Sequence, residues 1–261
     1  MEFLSRRTVL AGIGALAAIP LIGTTSGSAA PESVIWDGDP ARGTSVFDGL
    51  ETAPGSITVA SDPQGKYGKC FRYETWDNPD GTKERCESRG LRLPNGSVYR
   101  PGTGTLGQVQ YIGWRANWNV NPNSGHWIAV YQLHISGQSS SQPSAGPFVL
   151  RTLGDGKLYF QLTGPNGSDR HIWSANFPVN TWNNFAIGYK VSKGSDGWCE
   201  FYFNGKQQTF SNGQTRYPGA TLWGDHVNHK WGVYRSGPNS GHAVAWLNHA
   251  KLGQTYADVA I

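Results

Sequence analysis

Tyr131-Gln132-Leu133-His134-Ile135 places residues of opposite character at alternate positions. On an extended chain successive side chains point to opposite faces, so Gln132 and His134 share one face while Tyr131, Leu133 and Ile135 share the other. The apolar face predicts a strand laid over a core, and the amide and imidazole predict an opposite face that is put to use. Two further segments have the same character. Arg85-Cys86-Glu87-Ser88-Arg89 aligns Arg85, Glu87 and Arg89, and Lys230-Trp231-Gly232-Val233-Tyr234 aligns Lys230, Gly232 and Tyr234.

The rest of the chain follows the same grammar. Gly 35 and Pro 15, with many Asn and Ser, cut it into short segments, and no window sustains a helical period. Strands are expected near residues 56 to 60, 67 to 75, 84 to 92, 107 to 118, 126 to 136, 147 to 151, 157 to 162, 169 to 174, 182 to 191, 198 to 204, 229 to 235, 243 to 251 and 255 to 260. Asn78-Pro79-Asp80-Gly81, Gly154-Asp155-Gly156, Gly164-Pro165-Asn166-Gly167 and Asn204-Gly205 supply turn chemistry between extended runs. The expected fold is all-β, an antiparallel β-sandwich of two packed sheets. The Ser/Gly/Gln-rich stretch from Gly137 to Gly146 follows the Gln132/His134 strand and reads either as a lid at a groove mouth or as a flexible surface loop.

Ser5-Arg6-Arg7-Thr8-Val9-Leu10, an apolar run from Ala11 to Ile22, and Ser28-Ala29-Ala30 before Pro31 read as a twin-arginine export signal spanning residues 1 to 30. The apolar run is shorter than the roughly 20 residues that span a bilayer, which disfavours a membrane anchor. The remaining chain, 31 to 261, is long enough for one large all-β domain, and no linker divides it. The expected protein is secreted and monomeric, with no membrane contact after cleavage. The chain carries 22 basic and 18 acidic residues, a net charge of +4 that becomes +3 without Glu2, Arg6 and Arg7. A mild positive balance favours an anionic partner, and the absence of any Lys/Arg run argues against nucleic acid.

Cys70, Cys86 and Cys199 have no metal-binding spacing. Cys70 and Cys86 lie on consecutive expected strands and could pair, or all three could be buried thiols. Of the 11 Trp and 11 Tyr, most are expected to pack the core. Trp114-Arg115-Ala116-Asn117-Trp118 mixes aromatic and polar groups, so Trp114, Arg115 and Asn117 are candidates for a sugar-binding surface. His126 has the parity of His134 and is a candidate at the flank of the same face. His171, His226, His229 and His249 are expected on loops or at the surface.

Arg85-Cys86-Glu87-Ser88-Arg89 resembles the R-S-E-L-R segment of jelly-roll polysaccharide lyases. Gln132-Leu133-His134 resembles their Q-I-H, and Lys230-Trp231-Gly232-Val233-Tyr234 resembles their late K-x-G-x-Y strand. Order and spacing agree over most of the mature chain, and the last segment with the tail is most similar to the glucuronan lyase and heparin lyase I group. Ser88 stands where alginate lyases carry an apolar residue, and Arg235 follows Tyr234 where they carry Asn-Gln, so the resemblance points to glucuronan-like polymers before alginate. It implies a jelly roll with a concave groove, an anionic polysaccharide substrate and β-elimination of a uronate. No cofactor is required by the sequence; related sandwich enzymes often hold a structural calcium ion, but no loop here names metal ligands.

The residue types suit that chemistry. The proton on C5 of a uronate is weakly acidic while the neighbouring carboxylate keeps its charge, so that charge must be neutralised, a task for Arg85, Arg89 and Gln132. A base must reach C5 and an acid the leaving O4. His134, with an ordinary pKa of about 6.5, can be the base; Tyr234 can protonate O4, or do both jobs. Glu87 would orient an arginine, and Gly232 would let a sugar approach the sheet closely. Lys230 shares the face of Tyr234, while Arg235 is the weakest substrate-binding candidate. The alternatives are a jelly-roll glycoside hydrolase, which needs two flanking carboxylic acids that the scarce Glu residues do not pattern, and a non-catalytic carbohydrate-binding protein using the same aromatic groove.

Overall fold

The computed structural model describes residues 34 to 77, 83 to 236 and 241 to 261. The expected export signal and the turn at Asn78 to Gly81 lie outside the described residues. Eighteen strands are described. The first nine are β1 (Trp36–Gly38), β2 (Gly49–Ala53), β3 (Ser56–Ser61), β4 (Lys69–Thr75), β5 (Lys83–Arg89), β6 (Leu91–Arg92), β7 (Val98–Tyr99), β8 (Val109–Asn119) and β9 (Ile128–Ser136). The rest are β10 (Phe148–Thr152), β11 (Lys157–Thr163), β12 (Asp169–Asn176), β13 (Asn183–Lys190), β14 (Trp198–Phe203), β15 (Lys206–Gln207), β16 (Tyr217–Pro218), β17 (His226–Ser236) and β18 (Ala243–Gly253).

They form an antiparallel jelly-roll sandwich. One sheet runs β12-β11-β10-β9-β17-β5-β2; the other runs β15-β14-β13-β8-β18-β4-β3, with β1 on β18 and β16 on β14. Aromatic rings fill the space between them: Trp36 stacks on Trp231 at 5.8 Å and Trp114 on Tyr131 at 4.4 Å, each pair joining the two sheets. Such rings contribute large buried area and offset stacking together.

A polar chain also crosses the interior, and it corrects the surface expectation for His229. His229 is fully buried; its Nδ1 lies 2.8 Å from the Tyr131 hydroxyl and its Nε2 3.2 Å from that of Tyr189. The Tyr189 hydroxyl donates to Gln110 Oε1 at 3.1 Å, so it accepts from Nε2–H, and Nδ1 accepts from Tyr131. Burial pushes the His229 imidazole down to about 3, which keeps it neutral.

Local chemistry corrects the strand expectations at two places. Residues 255 to 260 do not extend; Tyr256–Val259 forms a single helical turn, α1, because Asp258 Oδ2 accepts from the Thr255 amide at 2.8 Å while Thr255 Oγ1 accepts from the Asp258 amide at 3.3 Å. The expected strand from 84 to 92 is broken at Gly90, whose φ of 68° turns β6 away to pair with β7. The cysteines are three separate buried thiols, with burial pushing Cys70 up to about 12 and Cys86 up to about 11, so neither is reactive near neutrality. Among the described residues no helix is long and apolar enough to cross a membrane.

Candidate active site

The three polar-faced segments become neighbours in the seven-stranded sheet, as β5, β17 and β9. Lys230 pairs with Arg89 on one side and Gln132 on the other, and Tyr234 pairs with Arg85 and Ala129. The inner face of these strands holds Cys86, Val233, Tyr131 and Leu133 in the core. The outer face carries Arg85, Glu87, Arg89, Lys230, Tyr234, Gln132 and His134. Arg85, Gln132, His134 and Tyr234 line one groove of about 440 Å³. Ser144 to Gly146 form one of its walls, tied down by the Ile135 amide donating to the Ala145 carbonyl and the Trp223 indole donating to that of Pro143.

His134 donates from Nδ1 to the Ile135 carbonyl at 2.6 Å. A carbonyl only accepts, so Nδ1 keeps its proton and the lone pair is on Nε2. Burial, reinforced by the charges of Lys230 and Arg85, holds the imidazole below its ordinary pKa, so its neutral, basic form persists into mild acid. Tyr234 is framed by two contacts, the Arg85 guanidinium 4.2 Å from its ring centre and the Trp127 ring edge-on at 5.0 Å.

Glu87 orients Gln132 as well as an arginine. It is fully buried, accepts from Gln132 Nε2 at 2.6 Å, and lies 3.6 Å from Arg85 Nε and 3.8 Å from Lys230 Nζ. Burial outweighs those charges and pushes its carboxyl up to about 7. A second carboxylate, Glu51 on β2, was not singled out by sequence. It accepts from Lys230 at 2.9 Å and Arg85 at 2.8 Å, with Arg89 at 3.8 Å. Burial alone would raise Glu51, but Lys230 and Arg85 together hold it below its ordinary value. Three cations are thus gathered by one carboxylate on the β2 side of this sheet face; Arg85 lines the groove, and Arg89 and the buried Lys230 do not.

Several sequence candidates lie elsewhere. Trp114, Arg115 and Asn117 are on β8, in the other sheet: Trp114 is core, Arg115 stacks on Tyr67 at 3.7 Å and binds Asn184 and Asn248, and Asn117 is buried. His126 precedes β9 and does not line the groove, because the register shifts where β9 passes Val130. Both Val130 and Tyr131 face the core, so parity reverses and Trp127 and Ala129 take the groove side. Arg235 is fully buried on the inner face, in a salt bridge with Glu84 and 3.7 Å from Asp77, and is no substrate ligand. Gly232 serves packing instead of sugar approach: its φ is 138°, and a Cβ there would lie 2.0 Å from the Cys86 carbonyl and 2.9 Å from the Tyr73 ring.

Besides Glu51, sequence reasoning missed Trp127, Arg151 and Gln161, all lining the groove. The one available signal was Arg151 itself, a lone charge in the apolar run Pro147-Phe148-Val149-Leu150-Arg151. Among the described residues no three His, Cys, Asp or Glu side chains converge to hold a metal ion.

The structure is similar to that of an endo-β-1,4-glucuronan lyase from the fungus Trichoderma reesei, with a TM-score of 0.62 and 16% identity over 82% of this chain and 93% of that one. It is also similar to an alginate lyase from a Chlorella virus, with a TM-score of 0.55 and 14% identity over 85% of this chain and 100% of that one. An alginate lyase from Corynebacterium sp. gives 0.51 and 17% over 78% and 83%. At these identities the likeness shows the fold. The sequence matches none of the curated proteins. Residues 36–258 match the family model described as polysaccharide lyase, and the chain belongs to that family.

Proposed function

We propose that the chain is an exported, monomeric lyase that cleaves a uronic-acid polysaccharide, glucuronan-like by first choice, through β-elimination. The observation that carries this reading is the fixed Nδ1–H tautomer of His134, whose free Nε2 shares a groove with Gln132 and Tyr234. Arg85 and the Glu87-oriented amide of Gln132 neutralise the uronate carboxylate. His134 Nε2 takes the C5 proton, electrons move into a C4–C5 double bond, the C4–O4 bond breaks, and the Tyr234 hydroxyl gives its proton to O4. Both groups rise from one face of one sheet and reach a sugar from one side. That suits a uronate whose H5 and O4 lie on the same ring face, as in glucuronate. Three free, buried thiols suit folding in a reducing cytosol before export by the twin-arginine route.

The test is incubation with glucuronan, alginate, heparin, hyaluronan and pectate, following the ultraviolet absorbance of an unsaturated uronate. A rise that is fastest on glucuronan supports the reading. Reducing ends without absorbance would identify a hydrolase, and binding without either product a non-catalytic sugar-binding protein.

A further inference from the structure

The cations on the outer face of this sheet are in two different states. Arg85, Arg89 and Lys230 all lean on Glu51. Arg151, on β10, has no carboxylate within salt-bridge distance among the described residues. Among the described residues its one hydrogen bond is from Nη1 to Gln161 Oε1 at 3.3 Å, and its buried Nε has no partner. The guanidinium lies 5.2 Å from the Trp127 ring centre, on the same indole that packs edge-on against Tyr234. Burial lowers its pKa, with only the more distant Asp169 opposing. A partly buried guanidinium with no carboxylate in salt-bridge contact is held at a cost that an arriving anion lowers.

Its place in the sheet says which anion. The register puts Arg85, Tyr234, Ala129 and Arg151 in one row across β5, β17, β9 and β10. Strands are spaced about 4.8 Å apart, so Arg151 stands about 14 Å from Arg85 across the floor, roughly 10 Å beyond the strand of Tyr234. A group that far along is over a neighbouring sugar, not the one losing its proton. We propose that Arg151 is a second carboxylate-binding position, which takes the carboxylate of a uronate adjacent to the cleavage point, so that the substrate carries uronates on consecutive residues. Gln161 holds the guanidinium at Nη1 and Trp127 lies against it, leaving Nη2 to donate to the incoming carboxylate.

The inference rests on the groove being the polysaccharide site, and the experiment separates the two. Steady-state kinetics on polyglucuronate, with uronates throughout, are compared for wild type, Arg151→Gln and Arg151→Lys. The Gln variant should raise KM about ten- to a hundredfold, the worth of a charge-assisted hydrogen bond, with kcat nearly unchanged, and the Lys variant should recover part of the loss. Titration calorimetry in the inactive His134→Ala background measures binding without turnover. There Arg151→Gln should weaken polyglucuronate strongly and hyaluronan, whose uronates alternate with amino sugars, much less. Equal loss on both polymers, a fall in kcat with KM unchanged, or unaltered KM and affinity would each overturn the proposal. If no polymer yields an unsaturated product with wild type, the lyase reading fails, and the calorimetric difference still decides the role of Arg151.

Discussion

Strand β17 carries His229 on the inner face of its sheet and β9 carries His134 on the outer, and the two imidazoles are treated differently. On the inner face Tyr131, His229, Tyr189 and Gln110 form a chain in which both imidazole nitrogens have a partner. On the outer face His134 uses only Nδ1, and Arg151 Nε and Glu87 Oε2 make no hydrogen bond among the described residues. Both histidines are held neutral by burial; what separates them is saturation. A satisfied buried network ties layers together, whereas unmet polar groups gathered in a groove are free to act on a ligand.

The sharpest way to break that contrast is to remove each histidine. His134→Ala should lower kcat by about 10² to 10⁴, the usual worth of a general base, while the thermal midpoint stays near that of wild type. A variant that unfolds instead would make His134 structural. His229→Ala should do the reverse, costing about 3 to 5 kcal/mol in chemical denaturation because it opens a cavity and strands two tyrosine hydroxyls, with kcat little changed in the folded protein. Stability should also respond to acid through His229. Its folded pKa is below its unfolded value of about 6.5, so the unfolded chain takes up a proton first, and stability is lost by roughly 1 kcal/mol per unit as pH falls from there towards 3.

Smaller effects follow from the groove carboxyl. Glu87, pushed up to about 7, is neutral below that pH and gains charge above it. Below pH 7 the groove is more positive, so KM for a polyuronate should rise severalfold as pH increases through 7, and Glu87→Gln should flatten that step. The acid limb of kcat/KM should fall below the ordinary imidazole value of about 6.5, since His134 is lowered. The smallest change is expected at Arg115→Ala on the opposite sheet, with kcat/KM altered less than about twofold in the same assay.

The same contrast shows what the sequence could and could not carry. The period of two is a property of extended backbone, so residues 131 to 135 were enough to send Gln132 and His134 outward and their neighbours inward. The alternation of Lys230 and Tyr234 with Trp231 and Val233 was equally readable. The extra residue in β9 at Val130 was not, and it moved the groove side from His126 to Trp127 and Ala129. Nor does alternation say which sheet a strand joins: Trp114 to Asn117 alternates as well as β9 does, but long-range pairing put it on the far layer. Glu51 was hidden for the same reason, being brought to Arg85 and Lys230 only by the edge pairing of β2 with β5.

The most direct test is a digest of polyglucuronate followed together by ultraviolet absorbance and mass spectrometry, with wild type, His134→Ala and Tyr234→Phe. The predicted result is absorbing oligomers that have gained no water on cleavage from wild type, and almost none from either folded variant. Products that have each taken up a water and do not absorb, or full turnover by both variants, would contradict a β-elimination run by His134 and Tyr234.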